Sequence, residues 1–159
     1  MRGVLGVSVT QILVFQVQGQ RFALPAADVQ ELQRAVTIVP LPKAPAVVEG
    51  LIDVRGTLVP VFDIRCRFRL AAKEVGPLDH LVIAHAKGRL VALRVDRVLD
   101  LVAVDDRRIE DPRDLVPGTD YVAGVARLEG GLVLIHDLAT FLSEAEAADL
   151  DAALAEGAR

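Results

Sequence analysis

Short β-branched segments, each closed by a tight-turn signal, follow one another along this chain with no helix between them until its end, and few architectures accept that pattern. Gln11 to Gln18 sets Ile12, Val14 and Gln16 against Leu13, Phe15 and Val17, then meets Gly19-Gln20 before Phe22 and Leu24, which reads as a hairpin. Pro25 to Asp28 begins a turn or short helix, and Val29 to Val39 suits a strand with a mixed face until Pro40, Pro42 and Pro45 stop any ladder. Ala46 to Gly50 reads as one helical turn. Leu51 to Val54, a turn at Arg55-Gly56 and Leu58 to Ile64 form a second hairpin, with Gly56 supplying positive φ and Pro60 marking an edge or a bulge. Ala71 to Pro77 is a polar connection without period. Leu78 to Ala86, a Lys87-Gly88 turn, Leu90 to Val95 and Val98 to Val104 repeat the style, and Asp105 to Gly118 is a charged loop holding Pro112 and Pro117. Tyr121 to Leu128, Gly130-Gly131 and Leu132 to Ile135 make a last hairpin. From Asp137 the apolar residues Leu138, Phe141, Leu142, Ala145, Ala148 and Leu150 fall at helical spacing.

About ten short strands at roughly 8 to 12 residue spacing predict closed or nearly closed β-barrels, because closure removes sheet edges. A βαβ architecture lacks its crossover helices. The expected organisation is a tail over 1–9, one domain over 10–143 with a first barrel over roughly 10–70 and a second over roughly 77–136, and a terminal helix and tail over 137–159. No sequence repeat stands out strongly enough to prove duplication.

Charge and composition narrow the function. The 159 residues carry 18 Lys+Arg against 22 Asp+Glu, a net charge of −4, so no cationic field draws in nucleic acid or anionic lipid. Every apolar run is far shorter than the ~20 residues of a membrane span, and Met1 to Ser8 carries no cleavage-site pattern, so the expectation is a soluble, cytoplasmic protein without direct membrane insertion. The single cysteine, Cys66, fits a reducing compartment.

No constellation points to catalysis. His80, His85 and His136 lack partners at metal or triad spacing, and His85 and His136 fit strand ends where a ring packs its body and keeps its tip wet. Asp53, Asp63, Asp96, Asp100 and Asp137 each fall at a strand boundary, where a carboxylate bonds local backbone N–H groups. Arg65, Arg67 and Arg69, interleaved with Cys66 and Phe68, read as a solvated strand face or helix turn. No catalytic residue, metal or cofactor is expected. Glu31 and Arg55 stand out because each sits among apolar neighbours where an unpaired charge is costly.

The stretch Leu41-Pro-Lys-Ala-Pro-Ala-Val-Val-Glu-Gly-Leu-Ile-Asp-Val-Arg-Gly-Thr-Leu-Val-Pro-Val-Phe-Asp-Ile-Arg65 resembles the signature of the CheW-like coupling proteins of bacterial chemosensory systems. Phe22-Ala-Leu-Pro25 with Val29-Gln-Glu31, Leu90 to Val98, and Tyr121 to Val125 with Leu132 to Leu138 agree in order. The resemblance implies two intertwined five-stranded SH3-like barrels with a C-terminal helix, and a non-catalytic adaptor joining a chemoreceptor cytoplasmic tip to a histidine kinase regulatory domain. It implies an Arg55–Glu31 ion pair beside a receptor-binding groove lined by Val29, Gly50, Val95 and Val98, and a kinase face near Leu13, Val14, Leu24 and Pro25. Asp53, Ala92 and His136 depart from the usual Asn, Gly and aliphatic residue, which favours a pilus, gliding or other chemosensory cluster over the flagellar pathway. A small-ligand module using the barrel junction as its pocket is the alternative.

Overall fold

The computed structural model describes residues 8–34, 36–112 and 121–157. Eleven strands and two helices are described: β1 (Val9–Val17), β2 (Gln20–Pro25), β3 (Val29–Arg34), β4 (Val48–Val54), β5 (Thr57–Phe62), α1 (Ile64–Phe68), β6 (His80–Ala86), β7 (Arg89–Val95), β8 (Arg97–Asp105), β9 (Ile109–Glu110), β10 (Val122–Leu128), β11 (Gly131–His136) and α2 (Glu144–Gly157). Each hairpin turn puts a glycine at the second of two positive-φ positions, where it alone adopts that conformation without strain. Gln18-Gly19, Arg55-Gly56 and Lys87-Gly88 each place two consecutive residues at positive φ, the geometry that matches strand twist in a two-residue hairpin.

The strands form two sheets, a six-stranded one in the order β8-β1-β2-β11-β10-β9 and a five-stranded one in the order β3-β6-β7-β5-β4. The proposed division into barrels over 10–70 and 77–136 therefore does not match the pairing. Each sheet takes a hairpin from one half of the chain and an edge strand plus a hairpin from the other. β1–β2 is joined antiparallel by β8 and parallel by β11, while β6–β7 is joined antiparallel by β3 and parallel by β5. The halves are two copies of one pattern that have exchanged strands. Their registers agree in detail: Ala23 faces Ile135 as Ala92 faces Val61, and bulges interrupt β4–β5 before Gly50 and β10–β11 before Gly124.

Three apolar clusters result. Ile12, Val14, Ala23, Val133 and Ile135 fill the six-stranded barrel, and Leu81, Ile83, Ala92, Val59 and Val61 occupy the corresponding places in the five-stranded one. The third and largest cluster lies between the barrels, where Phe15, Phe22, Leu24, Phe62, Leu93 and Val95 meet. The junction is filled by side chains. All five Phe and the single Tyr take part in ring contacts there, with Phe62 stacked on Phe141 at 5.1 Å.

Several local expectations change. β3 ends at Arg34, and Val39 instead forms an isolated bridge to Leu51. Ala46-Val47 is a turn, with β4 already under way at Val48. Pro60 tolerates its place because β5 pairs with β7 only at Val61 and Phe62, so no ladder donor is missed. The stretch after Asp105 is a 3-10 turn followed by the two-residue β9, and residues 113–118 of that expected loop lie outside the described residues. The terminal helix starts at Glu144, after a separate 3-10 turn at Leu138–Thr140.

Candidate functional site

β3 and β4 lie at opposite ends of the five-stranded sheet, and closing that barrel brings them together. Arg55, in the turn after β4, reaches Glu31 on β3: Nη1 donates to Oε1 at 3.0 Å and Nη2 donates to Oε2. Glu31 also accepts from Gln33 Nε2 at 2.9 Å. The Arg55 guanidinium, with Gln33 beside it, holds the Glu31 carboxyl below the usual carboxylate range, and Glu31 in turn raises Arg55. The pair is presented outward, with the Arg55 side chain 69% exposed. Asp53 fixes the turn beneath it by accepting the Gly56 N–H at 2.7 Å. Val39 stitches the same seam, exchanging backbone hydrogen bonds of 2.9 and 2.8 Å with Leu51.

The other residues expected in the groove occupy different settings. Val95 is fully buried in the junction core, and Val29 and Val98 are half-buried against that core. These two correspond in the repeat, each preceding a bulge in an edge strand. Gly50 is buried too: a Cβ there would lie 2.2 Å from the Val39 carbonyl oxygen, so its job is to admit the closing segment. Val95 and Gly50 thus do not line an open surface. Leu13, Val14 and Leu24 are likewise buried, because their strands are covered on both faces; Pro25 reaches a shallow cleft with Val9, Thr10 and Gln11, and Val14 touches only the floor of a different cleft, beside β8.

The basic run is a correction. Arg65 is buried in α1 and holds Asp96 through two contacts of 2.8 and 2.9 Å. Arg67 pairs with Glu146, donates to the Phe141 carbonyl at 2.9 Å and lies 4.9 Å from the Tyr121 ring centre. Neither is a solvated cation. Composition and spacing gave no sign of the network that continues from Arg65: Lys73 reaches Asp96 and Asp79, and Arg94, 2% exposed, contacts Asp79 at 3.0 Å, Glu49 at 2.7 Å and the Lys73 carbonyl at 2.7 Å. Burial pushes Asp79 up, but the Gly76 N–H, Lys73 and Arg94 outweigh it and keep the carboxyl below its ordinary value. Asp96 also accepts the Gln18 N–H of the β1–β2 turn at 2.7 Å, so this network ties the 71–79 connection to both barrels.

The histidines divide. His85 lies at the surface and meets Gln30 at 2.9 Å. His136 is 1% exposed with neither ring nitrogen hydrogen-bonded, among Phe15, Phe22, Phe68 and Phe141, so its tip is not wet. Burial lowers its pKa to about 3. In the repeat it stands where the other copy has Phe62, one residue before Asp137 as Phe62 precedes Asp63. Both aspartates cap a helical turn, accepting from Ala139 and Arg65 N–H groups. Among the described residues no group of His, Cys, Asp and Glu could hold a metal, and no helix is long and apolar enough to cross a membrane.

A pair of interlocked barrels that presents a bidentate ion pair outward across a closing seam has the form of an interaction module. Known proteins narrow that class. The family model described as the CheW-like domain matches residues 11–146. The chain is 31% identical over 130 residues to the chemotaxis protein CheW of Rhizobium meliloti, covering 80% of this chain and 84% of that one. It is 28% identical over 132 residues to Protein FrzA of Myxococcus xanthus, covering 79% of each. The crystal structure of scaffolding protein TtCheW from Thermoanaerobacter tengcongensis superposes with a TM-score of 0.75 at 28% identity, over 81% of this chain and 89% of that one. The chain belongs to the CheW-like family.

Proposed function

We infer that this chain is a non-catalytic scaffold of chemotaxis-type signalling, working in the cytoplasm to couple the tip of a chemoreceptor to the regulatory domain of a histidine kinase. The observation that carries this reading is the outward-facing Arg55–Glu31 pair, mounted across the closing seam of a barrel in a chain of this family. A bidentate guanidinium–carboxylate pair holds a donor array in fixed orientation, and Arg55 keeps donors free for a helical partner. Val29 and Val98, half-buried at the barrel boundary, supply apolar contact beside it, and Val95 and Gly50 support the surface from beneath. The kinase contact falls to Pro25 and its exposed neighbours, on a strand pair held in place by Leu13 and Leu24 in the junction core and by Val14 inside the six-stranded barrel.

The three departures from the family pattern are structural. Asp53 caps its turn, Ala92 is a core residue at negative φ matched by Ala23 in the other barrel, and His136 is inside the junction. The test is binding of a receptor-tip fragment to Arg55→Ala: affinity is expected to fall roughly tenfold or more with the fold unchanged. An unchanged dissociation constant removes this seam from the receptor interface.

A further inference from the structure

The repeat makes positions in the two barrels comparable, and at the seam they differ. Glu31 corresponds to Asp100: each follows a bulge in an edge strand and pairs with the matching core residue, Ile83 or Val14. Arg55 corresponds to Glu129, the first turn residue of the equivalent hairpin. Where the five-stranded barrel has an ion pair, the six-stranded barrel has two carboxylates. The seam there stands open, as a cleft of about 380 Å³ whose charged lining is Asp100, Glu129, Arg21 and Arg108, over an apolar floor that includes Val14 and Val104. No strand among the described residues covers the outer edge of β8.

The four charged groups are not paired with one another. Asp100 accepts the Leu101 N–H at 2.8 Å, which leaves its other oxygen available. The Arg21 guanidinium lies over the Gly130-Gly131 turn, with Nη2 3.4 Å from where a Cβ on either glycine would be, and this Nη2 is buried without a hydrogen-bond partner. An unpaired buried donor of a charged group is costly, and Arg21, half-buried and lining the cleft, brings an uncompensated cationic charge to it that an anion would balance. A simple anion, however, meets two carboxylates in the same cleft, and a simple cation leaves Arg21 unanswered and meets Arg108. A ligand carrying both charged groups on one carbon satisfies both pairs.

We propose that this cleft binds a small zwitterion of the α-amino-acid type, its carboxylate on Arg21 and Arg108 and its ammonium on Asp100 and Glu129. The volume lies within the roughly 300–1,000 Å³ of small-molecule sites, and the apolar floor leaves room for a side chain. The site is separate from the Arg55–Glu31 seam, so it offers the scaffold a small-molecule input on the opposite barrel.

The test titrates the full-length protein with the common α-amino acids one at a time, following backbone amide shifts by NMR. For each one that binds, the N-acetyl and carboxamide derivatives follow. Saturable binding by at least one amino acid is expected, weakened roughly tenfold or more when either charge is blocked and likewise in Arg21→Met and Glu129→Gln. Asp100→Asn keeps an acceptor for the Leu101 N–H and so checks the carboxylate without disturbing the strand; it too should weaken binding. Absence of saturable binding by any of them overturns the proposal, as does binding that survives blocking or that the variants leave unchanged. Receptor binding through Arg55 is measured independently, so either idea can fail alone.

Discussion

His136 sets the first expectation at the scale of single residues. Its folded pKa near 3 lies below the ordinary value of 6.5, so between those limits the unfolded chain binds more protons and stability rises with pH. The contribution is whole above pH 6.5 and drains away as pH falls towards 3, with roughly 2 kcal/mol lost by pH 5. His136→Leu removes both unpaired ring nitrogens and is expected to stabilise the fold by about 1 kcal/mol or more at pH 7. Denaturation between pH 5 and 7 should show a flatter profile for the variant; an identical slope would contradict the burial of this ring. Arg94 behaves oppositely. Replacing it with Met leaves Asp79 buried beside a lone lysine, and a loss of roughly 3–5 kcal/mol is expected in chemical denaturation. Individual site residues were partly legible in the sequence. Charges among apolar neighbours marked Glu31 and Arg55 one at a time, and only the resemblance to the CheW-like family joined them as a pair, whereas the caps made by Asp53, Asp63 and Asp137 followed from their places at strand ends. The buried Arg65, Arg94 and His136 did not, because a charged residue's burial depends on partners far along the chain.

Among the elements, the bulges of β4–β5 and β10–β11 make a matched pair of glycine tests. At Gly50 an added Cβ meets the Val39 backbone oxygen at 2.2 Å, and backbone cannot rotate away; at Gly124 it meets the Ile109 Cγ2 at 2.6 Å, a side-chain atom that can shift. Gly50→Ala should therefore cost more than Gly124→Ala, by about 1 kcal/mol or more, and thermal melts of the two variants decide it. Helix α2 is held by Leu150 inside the junction core and by Arg67–Glu146, Arg89–Asp151 and Lys43–Glu156 around it. Leu150→Ala should cost about 2–4 kcal/mol, whereas raised salt should weaken the exposed Lys43–Glu156 contact first. Strands and hairpins were readable because alternation and glycine turns are local. The isolated bridge at Val39 and the tiny β9 carry no such period.

For the whole molecule, the scaffold reading requires that receptor tip and kinase domain bind together. Saturating receptor tip added to a preformed complex with the kinase domain should yield a ternary species in sedimentation, and strict competition would show a shared surface. An interface of ~1,600 Å² is ample for specific yet exchangeable binding. The barrel architecture was evident from strand number and spacing, but the division at residues 71–77 was not the division between barrels. Periodicity says which residues pair with some neighbour; it says nothing of which copy of a hairpin that neighbour belongs to.

The exchange of strands between halves has a consequence for synthesis. β1 and β2 are made before the rest of their sheet: β8, β9, β10 and β11, which complete it, follow only after residues 29–95, which hold every strand of the other sheet. Once residues through Val95 have emerged, the chain has all it needs to close the five-stranded barrel, while the leading hairpin still shows Phe22, Ala23 and Leu24 without their final partners. Translation pauses in the following stretch are where this chain is most open to aggregation and to capture by a chaperone.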